Sequence, residues 1–278
     1  MGTPKSLLLC VLLFALGSVA NAQEVADVHP ILTEKFTLDA GVFFPDRNFK
    51  IHVDGLGAGP NPNIDFENEF GLNKSDQVFA LEFGWRFGKK WSLLTQYFDT
   101  SGSRTAVLDE DIEWEDVVFA EGSNATAGQE FSVIRTFFGR RFNTNERHEL
   151  GIGAGLHWFE LGAFVEGEII VAGQGTQFGR ESVSVEAPLP NVGAWYNYSI
   201  SPKWAFTSRL DYLNADIDDY SGSLVNLSVG INYRAFDRIG VGLSYNRLEL
   251  DLSITKPDWQ GGTETTYQGL FVYASGYW

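Results

Sequence analysis

The chain has 278 residues, of which 30 are glycine and 14% are aromatic, and its formal net charge is −16 at pH 7. This acidity argues against a protein that binds nucleic acid or phosphate groups directly, because such proteins need basic surfaces. Cys10 is the only cysteine, so no disulfide within the chain stabilises the fold.

The first 22 residues have the parts of a secretory signal peptide. Lys5 precedes the apolar run SLLLCVLLFALGSVA, and Ala20-Asn21-Ala22 supplies a cleavage site after it. The run is too short for a membrane-spanning helix, which needs about 20 residues. We therefore predict a signal peptide at 1–22 and one mature domain at 23–278.

Ten segments of the mature domain alternate with a period of two, which predicts β-strands. In chain order they are residues 34–44, 78–88, 91–101, 130–142, 149–160, 189–200, 204–215, 225–235, 239–246 and 267–278. Short turns join one set of strand ends, near residues 88–90, 143–147, 201–203 and 236–238. The opposite connections are predicted to be long loops, at about 45–76, 102–129, 161–188 and 255–266, with a brief one near 216–223. Short turns at one end and long loops at the other are typical of outer-membrane barrels.

The two faces of these strands differ in a way that favours lipid over a second sheet. Arg140 is the only charged residue in the predicted apolar rows. The other face carries mainly Gly, Ser, Thr and Asn with sparse charges of both signs, whereas a secreted β-sandwich, the alternative, would expose a heavily charged outside. Small and paired polar groups suit the interior of a narrow barrel. The predicted lumen charge network consists of Asp39, Glu82, Arg86, Arg135, Arg209, Asp211 and Arg234.

The predicted fold is therefore all-β: an antiparallel transmembrane β-barrel of ten strands with a hydrophilic interior. Eight or twelve strands would follow if residues 48–54 and 62–70 paired differently. The alternation changes phase between Tyr245 and Leu248. Either a β-bulge or the exit of the strand from the membrane explains this change.

The chain resembles the small Gram-negative outer-membrane β-barrel proteins, the broad group around the OmpA barrel, OmpX and OmpW. The ANA site, hairpins such as SPKWAFTSRLDY and the closing YQGLFVYASGYW carry the resemblance. It implies a location in the cell outer membrane after export. It also implies an assembly signal, read by the barrel assembly machinery, that includes the terminal Trp278 with Leu270 and Val272. Gly276 departs from the bulky residue usual in that signal.

Two functions remain open on these residues. One is a non-catalytic barrel whose long acidic extracellular loops serve envelope integrity, adhesion or surface interaction. The other is a narrow, cation-favouring, porin-like channel, in which the lumen charges would line an ion path. Pairing of those charges would instead make them structural, because an unpaired buried charge is costly. The candidate pairs are Asp39 with an arginine, Glu82 with Arg86 or a neighbour, and Arg209 with Asp211.

The run LDEDIEWEDVVFAEG lies in a predicted external loop. Its spacing matches no EF-hand, and we predict no dedicated metal site and no cofactor. Weak attraction of divalent cations beside outer-membrane lipid and lipopolysaccharide phosphates is expected instead. The residues concerned are Asp109, Glu110, Asp111, Glu113, Glu115 and Asp116.

A rim hydrolase is the remote alternative. The ten-stranded omptin proteases use rim aspartates with a histidine, and Asp216, Asp218 and Asp219 lie at a predicted rim. The Asp-x-His pair of that family is missing from every predicted rim segment. Its only match, at residues 27–29, falls at the mature N-terminus, and His157 has no recognisable nucleophile beside it. The sequence therefore predicts a protein that is not an enzyme.

Overall fold

The structure is a computed structural model that describes residues 28–54, 61–72, 77–115, 117–171, 175–217, 220–256 and 259–278. The predicted signal peptide, Asp116, Asp218 and Asp219 lie outside the described residues. The strands are β1 (Phe36–Asp54), β2 (Ile64–Asp65), β3 (Val78–Phe87), β4 (Trp91–Val107), β5 (Ile112–Trp114), β6 (Val117–Phe119), β7 (Asn124–Asn145), β8 (His148–Val171), β9 (Gly175–Ser199), β10 (Trp204–Ile217), β11 (Tyr220–Arg234), β12 (Ile239–Lys256) and β13 (Trp259–Tyr277). A 3-10 turn (Pro30–Leu32) precedes β1, and a short helix, α1 (Phe66–Phe70), follows β2. In the part of the chain described, no helix is long and apolar enough to cross a membrane.

Ten of these thirteen strands form a closed antiparallel ring in which each strand pairs with two neighbours. The order is β1-β3-β4-β7-β8-β9-β10-β11-β12-β13 and back to β1. Each ring strand corresponds to one of the ten predicted segments. The other three strands, β2, β5 and β6, are short and were not predicted; β2 pairs with β1, and β6 pairs with β5 and β8.

The predicted long loops are wrong for most of their length, because the strands continue through them. β1 runs to Asp54, β8 and β9 form one hairpin across 161–188, and β12 and β13 extend across 255–266. The end of the ring where β2, α1, β5 and β6 lie is called the far end below. The opposite end is called the short-turn end, and its connections are residues 88–90, 146–147, 200–203 and 235–238.

The interior is hydrophilic only in the half near the short-turn end, so the prediction of a polar centre throughout is also wrong. Strand β12 shows the change without any shift in its pairing with β11 or β13. Its outward row runs Ile239, Val241, Leu243, Tyr245 and then Arg247, Glu249 and Asp251. Its inward row runs Gly240, Gly242, Ser244, Asn246 and then Leu248, Leu250 and Leu252. The phase change near Tyr245 is therefore a reversal of polarity along a regular strand, and no β-bulge is present there.

The outward apolar rows form a band around the ring, which we call the apolar belt. On several strands it spans nine residues, as in Phe36–Phe44, Leu150–Trp158, Trp204–Tyr212 and Leu270–Trp278. Among the described residues, only three exposed large apolar side chains lie outside the belt: Val107, Phe178 and Phe236. Nine residues at about 3.3 Å each extend roughly 30 Å along a strand.

The far half of the ring encloses an apolar core. Its largest fully buried side chains are Trp114, Tyr267, Phe66, Phe119, Phe131 and Phe159. Helix α1 contributes Phe66 because Asp65 caps its N-terminus, accepting hydrogen bonds from two backbone N–H groups, and Gly71 ends it at φ 64°. Phe131 stacks on Tyr267 with ring centroids 4.5 Å apart. In this half the ring therefore packs as the interior of a water-soluble protein does.

Candidate functional site

The centre of the lumen holds a buried network of ion pairs. The Arg135 guanidinium donates Nε to Asp211 Oδ2 at 2.6 Å and Nη2 to Oδ1 at 2.9 Å, and both side chains are fully buried. Arg209 lies beside this pair, with Nε 3.7 Å from Asp211 Oδ2. It donates Nη1 to Glu82 Oε2 at 2.9 Å and Nη2 to Gln96 Oε1 at 3.0 Å. Strands β3, β4, β7 and β10 are thus joined across the lumen.

His157 is part of the same network. Its Nδ1 lies 3.0 Å from Asn191 Oδ1, its Nε2 lies 3.2 Å from Asn226 Nδ2, and Asp211 Oδ2 is 4.0 Å from Nε2. The ring is buried and stacks on Phe159. These contacts hold the imidazole between two amides, and no hydroxyl among the described residues hydrogen-bonds to it as a nucleophile would.

A second cluster lies nearer the short-turn end and is centred on Glu149. This carboxylate pairs with Arg86, lies 3.9 Å from Arg141 Nη1, and accepts hydrogen bonds from Trp195 Nε1 at 3.0 Å and Asn197 Nδ2 at 3.4 Å. Of the two predicted alternatives for Glu82, pairing with Arg86 is not found, and Glu82 pairs with Arg209 instead. Residues four apart on a strand lie about 13 Å apart, so each of the two finds its partner on another strand.

Sequence reasoning missed Glu149 and Arg141. Both belong to the inward row of their strand, because Leu150 and Phe142 belong to the outward row. The alternation along each strand would therefore have been enough to assign both residues to the lumen network. With them, the ion pairs of the lumen join four guanidinium groups (Arg86, Arg135, Arg141, Arg209) to three carboxylates (Glu82, Asp211, Glu149).

Asp39 and Arg234, the remaining predicted members, lie at the edges of this system. Asp39 faces Glu82 in the pairing of β1 with β3 and lines the lumen chamber described next. Arg234 is half-buried at the short-turn end of β11. All seven predicted network residues thus belong to inward rows, but these two stand apart from the central ion pairs.

A polar chamber occupies the lumen between the two clusters. Its space is about 1000 Å³, part of it continuous with solvent. The polar residues lining it include Asp39, Gln96, Asn197, Thr207, Ser228 and Ser244. Phe271 and Tyr273 bound the chamber towards the far end, and Ile31 bounds it towards the short-turn end.

The N-terminal segment crosses the short-turn mouth of this chamber. The His29 backbone N–H donates to Ser199 Oγ at 2.8 Å, and the Ile31 carbonyl accepts from the Arg86 guanidinium. The His29 ring is fully buried, edge-on to Tyr277 at 5.5 Å. Burial and, to a lesser extent, the charge of Arg234 lower the pKa of His29 to about 4, so the segment docks with a neutral imidazole.

The acidic residues after β4 cluster at the far end. The pKa of Glu69 is raised by burial and by the neighbouring carboxylate of Glu110. Asp111 Oδ1 accepts a hydrogen bond from the Glu121 backbone N–H at 2.7 Å, so this carboxylate stabilises the local backbone. No group of three or more His, Cys, Asp or Glu side chains in the described ranges has a metal-binding arrangement.

Two inward-facing glycines on neighbouring strands, Gly139 of β7 and Gly151 of β8, leave room for a bulky ring in the lumen. A Cβ on Gly151 would lie 2.0 Å from the Trp195 ring, and one on Gly139 would lie 2.5 Å from it. The indole therefore depends on two glycines to reach Glu149.

The residues of the predicted assembly signal lie on the outside of the ring. Leu270 and Val272 are about half exposed in the apolar belt. Trp278 stacks on Phe36 at 5.9 Å, and the backbones of these two residues exchange hydrogen bonds of 2.7 and 3.1 Å. The contact closes the ring between β13 and β1, and the role of these residues in assembly stays a prediction.

Comparison with known proteins gives a match by structure alone. No protein-family model and no curated protein sequence matches the chain. The outer-membrane protease OmpT of Escherichia coli superposes with a TM-score of 0.59 at 11% identity, covering 88% of this chain and 97% of OmpT. The toluene transporter TodX of P. putida (TM-score 0.39, 7% identity, 90% and 91% covered) and the attachment protein Ail of Yersinia pestis (0.30, 12%, 87% and 98%) match more loosely.

The likeness to OmpT concerns the fold, since 11% identity carries no residue roles. The closed antiparallel ring and this superposition agree on one architecture. The chain has the fold of the outer-membrane β-barrel proteins.

Proposed function

We propose that the chain is an integral outer-membrane protein, exported by its signal peptide and embedded through the apolar belt. The observation that carries this proposal is the reversal of polarity along the ring strands. A strand of about 9–11 residues spans a tilted crossing of a bilayer, and the belt supplies nine on several strands. Trp204 with Tyr233 (4.7 Å) and Trp91 with Phe138 (5.1 Å) form aromatic pairs near the short-turn end, where a membrane interface favours them.

We propose further that the protein is non-catalytic and serves surface interaction, adhesion or envelope integrity. The far half stands above the belt as an acidic platform of long strands and would face the cell exterior. Lipopolysaccharide, bridged by divalent cations to the carboxylates above the belt, is the expected lipid partner. The barrel assembly machinery is the expected partner during insertion.

Closure of the lumen supports this function over the channel. The N-terminal segment covers one mouth, and the apolar core with Trp114 and Phe66 fills the other half. Between them, Glu82, Asp211 and Glu149 are each paired with arginine, as structural groups would be. The polar chamber is the one feature that favours a channel, and it would conduct only if both barriers moved.

The test uses folded protein in lipid. Mobility on electrophoresis should change with boiling, and the folded band should integrate into vesicles. Planar bilayers containing it should show no stable open level. A cation-selective open level would replace this function with the channel, and hydrolysis of peptide by the purified protein would establish an enzyme.

A further inference from the structure

Strand β9 separates from its neighbour part-way along the ring wall. The pairing of β9 with β10 runs from Ser199↔Ala205 to Val192↔Tyr212 and then stops. The same register would next place Pro190 opposite Asn214 and Pro188 opposite Asp216. Proline has no N–H to donate to a ladder, so the two prolines explain why the pairing ends there.

Beyond the prolines β9 has a free edge. β10 ends at Ile217, whereas β9 extends to Gly175 and stays paired with β8 along this whole length. Residues 175–187 therefore have no strand on the β10 side among the residues that the structure describes. This edge is about 40 Å long at roughly 3.3 Å per residue, and it contains no proline.

The residues that present their backbone at this edge follow from the pairing below it. The Tyr196 carbonyl lies on the β10 side, because it accepts a hydrogen bond from Ser208 Oγ of β10 at 3.3 Å. In an antiparallel strand the N–H and C=O of one residue point the same way, and they alternate along the chain. The register of β9 with β8 is unbroken, so Ser182 and Ser184 direct their N–H and C=O groups to the free edge.

An apolar slot lies beside the same stretch of β9. Its empty space of about 390 Å³ includes open solvent, and its lining includes Val183 and Val185 of β9, Leu161 and Ala163 of β8, and Leu252 and Ile254 of β12. A free edge beside an apolar slot suits a strand-adding peptide, because main-chain bonds give affinity and contacts of alternate side chains give specificity.

We propose that the free edge of β9 binds an extended peptide segment of a partner protein, with apolar side chains at alternate positions directed into the slot. The proposal rests on the surface function given above, because that function places the edge outside the cell. The edge lies beyond Val192 and Tyr212, where the apolar belt ends on β9 and β10, so lipid chains do not cover it.

A second copy of the chain fits this edge poorly. Two copies in one membrane share their orientation, so their β9 strands would run in the same direction and cross at twice the strand tilt. Tilts of about 35–45° are typical of such barrels. A long ladder between the two edges is then excluded by geometry, whereas a free peptide can align with β9.

The experiment measures binding of synthetic peptides to the folded protein in lipid nanodiscs. The probe alternates valine and threonine over nine residues between terminal lysines. A second peptide carries N-methyl groups on alternate backbone amides, and a third has the same composition with its valines consecutive. The protein variant S182P/S184P removes two edge donors, and S182A/S184A is the matched control that keeps both N–H groups.

We expect the alternating peptide to bind at least tenfold tighter than either control peptide. The double proline variant should lose tenfold or more of this affinity, and the double alanine variant should keep it. Hydrogen exchange of wild-type protein should also slow within residues 176–187 when the peptide is bound, which tests the proposal even if the proline variant fails to fold.

Equal binding of the N-methylated peptide, or equal affinity of the proline and wild-type proteins, would overturn the proposal. So would a shift from dimer to monomer in the proline variant with no peptide binding, which would make the edge an interface between copies. A sample that enters vesicles but binds no peptide contradicts this inference alone. A sample that does not enter vesicles contradicts the proposed membrane function instead.

Discussion

Arg135 and Asp211 show what a charge inside this ring costs and gains. Both side chains are fully buried and share two short hydrogen bonds. Removing one partner leaves the other charge buried and unpaired, which costs about 3–5 kcal/mol. We therefore expect Asp211→Ala to lower the free energy of unfolding by roughly that amount, measured by urea titration in detergent micelles.

The control for this prediction is the exposed pair of Arg180 and Glu166, whose side chains are 53% and 31% exposed. Glu166→Gln should change the free energy of unfolding by less than about 1 kcal/mol. The double variant Arg135→Met with Asp211→Leu should recover much of the loss, because an apolar pair of similar size often replaces a buried ion pair. A double variant as unstable as Asp211→Ala would contradict this view of the pair.

His29 makes docking of the N-terminal segment depend on pH. Its pKa is about 4 when docked and 6.5 when free, so a released segment binds a proton that the docked one does not. The free energy of docking is unaffected above pH 6.5 and becomes less favourable as the pH falls towards 4. At 1.36 kcal/mol per pKa unit, the total loss is at most about 3 kcal/mol. Hydrogen exchange of residues 28–34, corrected for intrinsic rates, should show this weakening, and His29→Gln should abolish it.

Gly151 is expected to tolerate no side chain. Its Cβ would meet Trp195 at 2.0 Å, and moving the indole would break its hydrogen bond to Glu149. Gly151→Ala should cost about 1–3 kcal/mol of unfolding free energy, as overpacking does. Gly162→Ala is the matched control, since its nearest neighbour would be at an ordinary 3.5 Å. Equal effects of the two variants would contradict the packing argument.

At the scale of one strand, the proposed membrane location makes β12 a combination of a membrane segment and a segment in water. Val241 lies in the apolar belt and Asp251 lies above it, both facing outward. An arginine on the lipid face costs about 2–4 kcal/mol at the bilayer midplane and little near the interface. Val241→Arg should therefore reduce folding into vesicles strongly, whereas Asp251→Arg should fold as the wild type does. Equal folding yields would argue against a lipid-facing belt.

The elements that sequence could predict are those with an apolar outward row. Rows such as Leu150 to Trp158 mark a strand by period and hydrophobicity together, so all ten ring strands were located. Above the belt the same period continues with the polarity exchanged, as in Leu248 and Leu250 facing in while Glu249 faces out. A search for apolar outer rows assigns these residues to loops, which is why the long strands were missed.

The sequence was enough to predict which residues belong to the candidate site, but not which of them form ion pairs. Phase along a strand tells which side chains face the lumen, and it would also have given Glu149 and Arg141. Which charges meet depends on the register between distant strands, such as β3 with Glu82 and β10 with Arg209. The closure by His29 and Ile31 has no periodic signal at all, because residues 28–34 precede the first strand.

For the whole molecule, the ring contains two environments stacked end to end. In the proposed membrane location, lipid surrounds a polar lumen near the short-turn end. At the far end water surrounds an apolar core. The reversal accounts for the apolar core that fills the far half and for the platform on which the free edge of β9 stands.

The most direct test of this arrangement uses spin labels at single engineered cysteines on β12, which the mature chain permits because Cys10 lies in the predicted signal peptide. Labels at Val241, Leu243 and Tyr245, in protein folded into lipid vesicles, should collide readily with oxygen and rarely with a water-soluble nickel complex. Labels at Glu249, Asp251 and Ser253 should show the opposite preference. Equal access of the nickel complex to both groups of positions would contradict the reversal of environment and, with it, the membrane location.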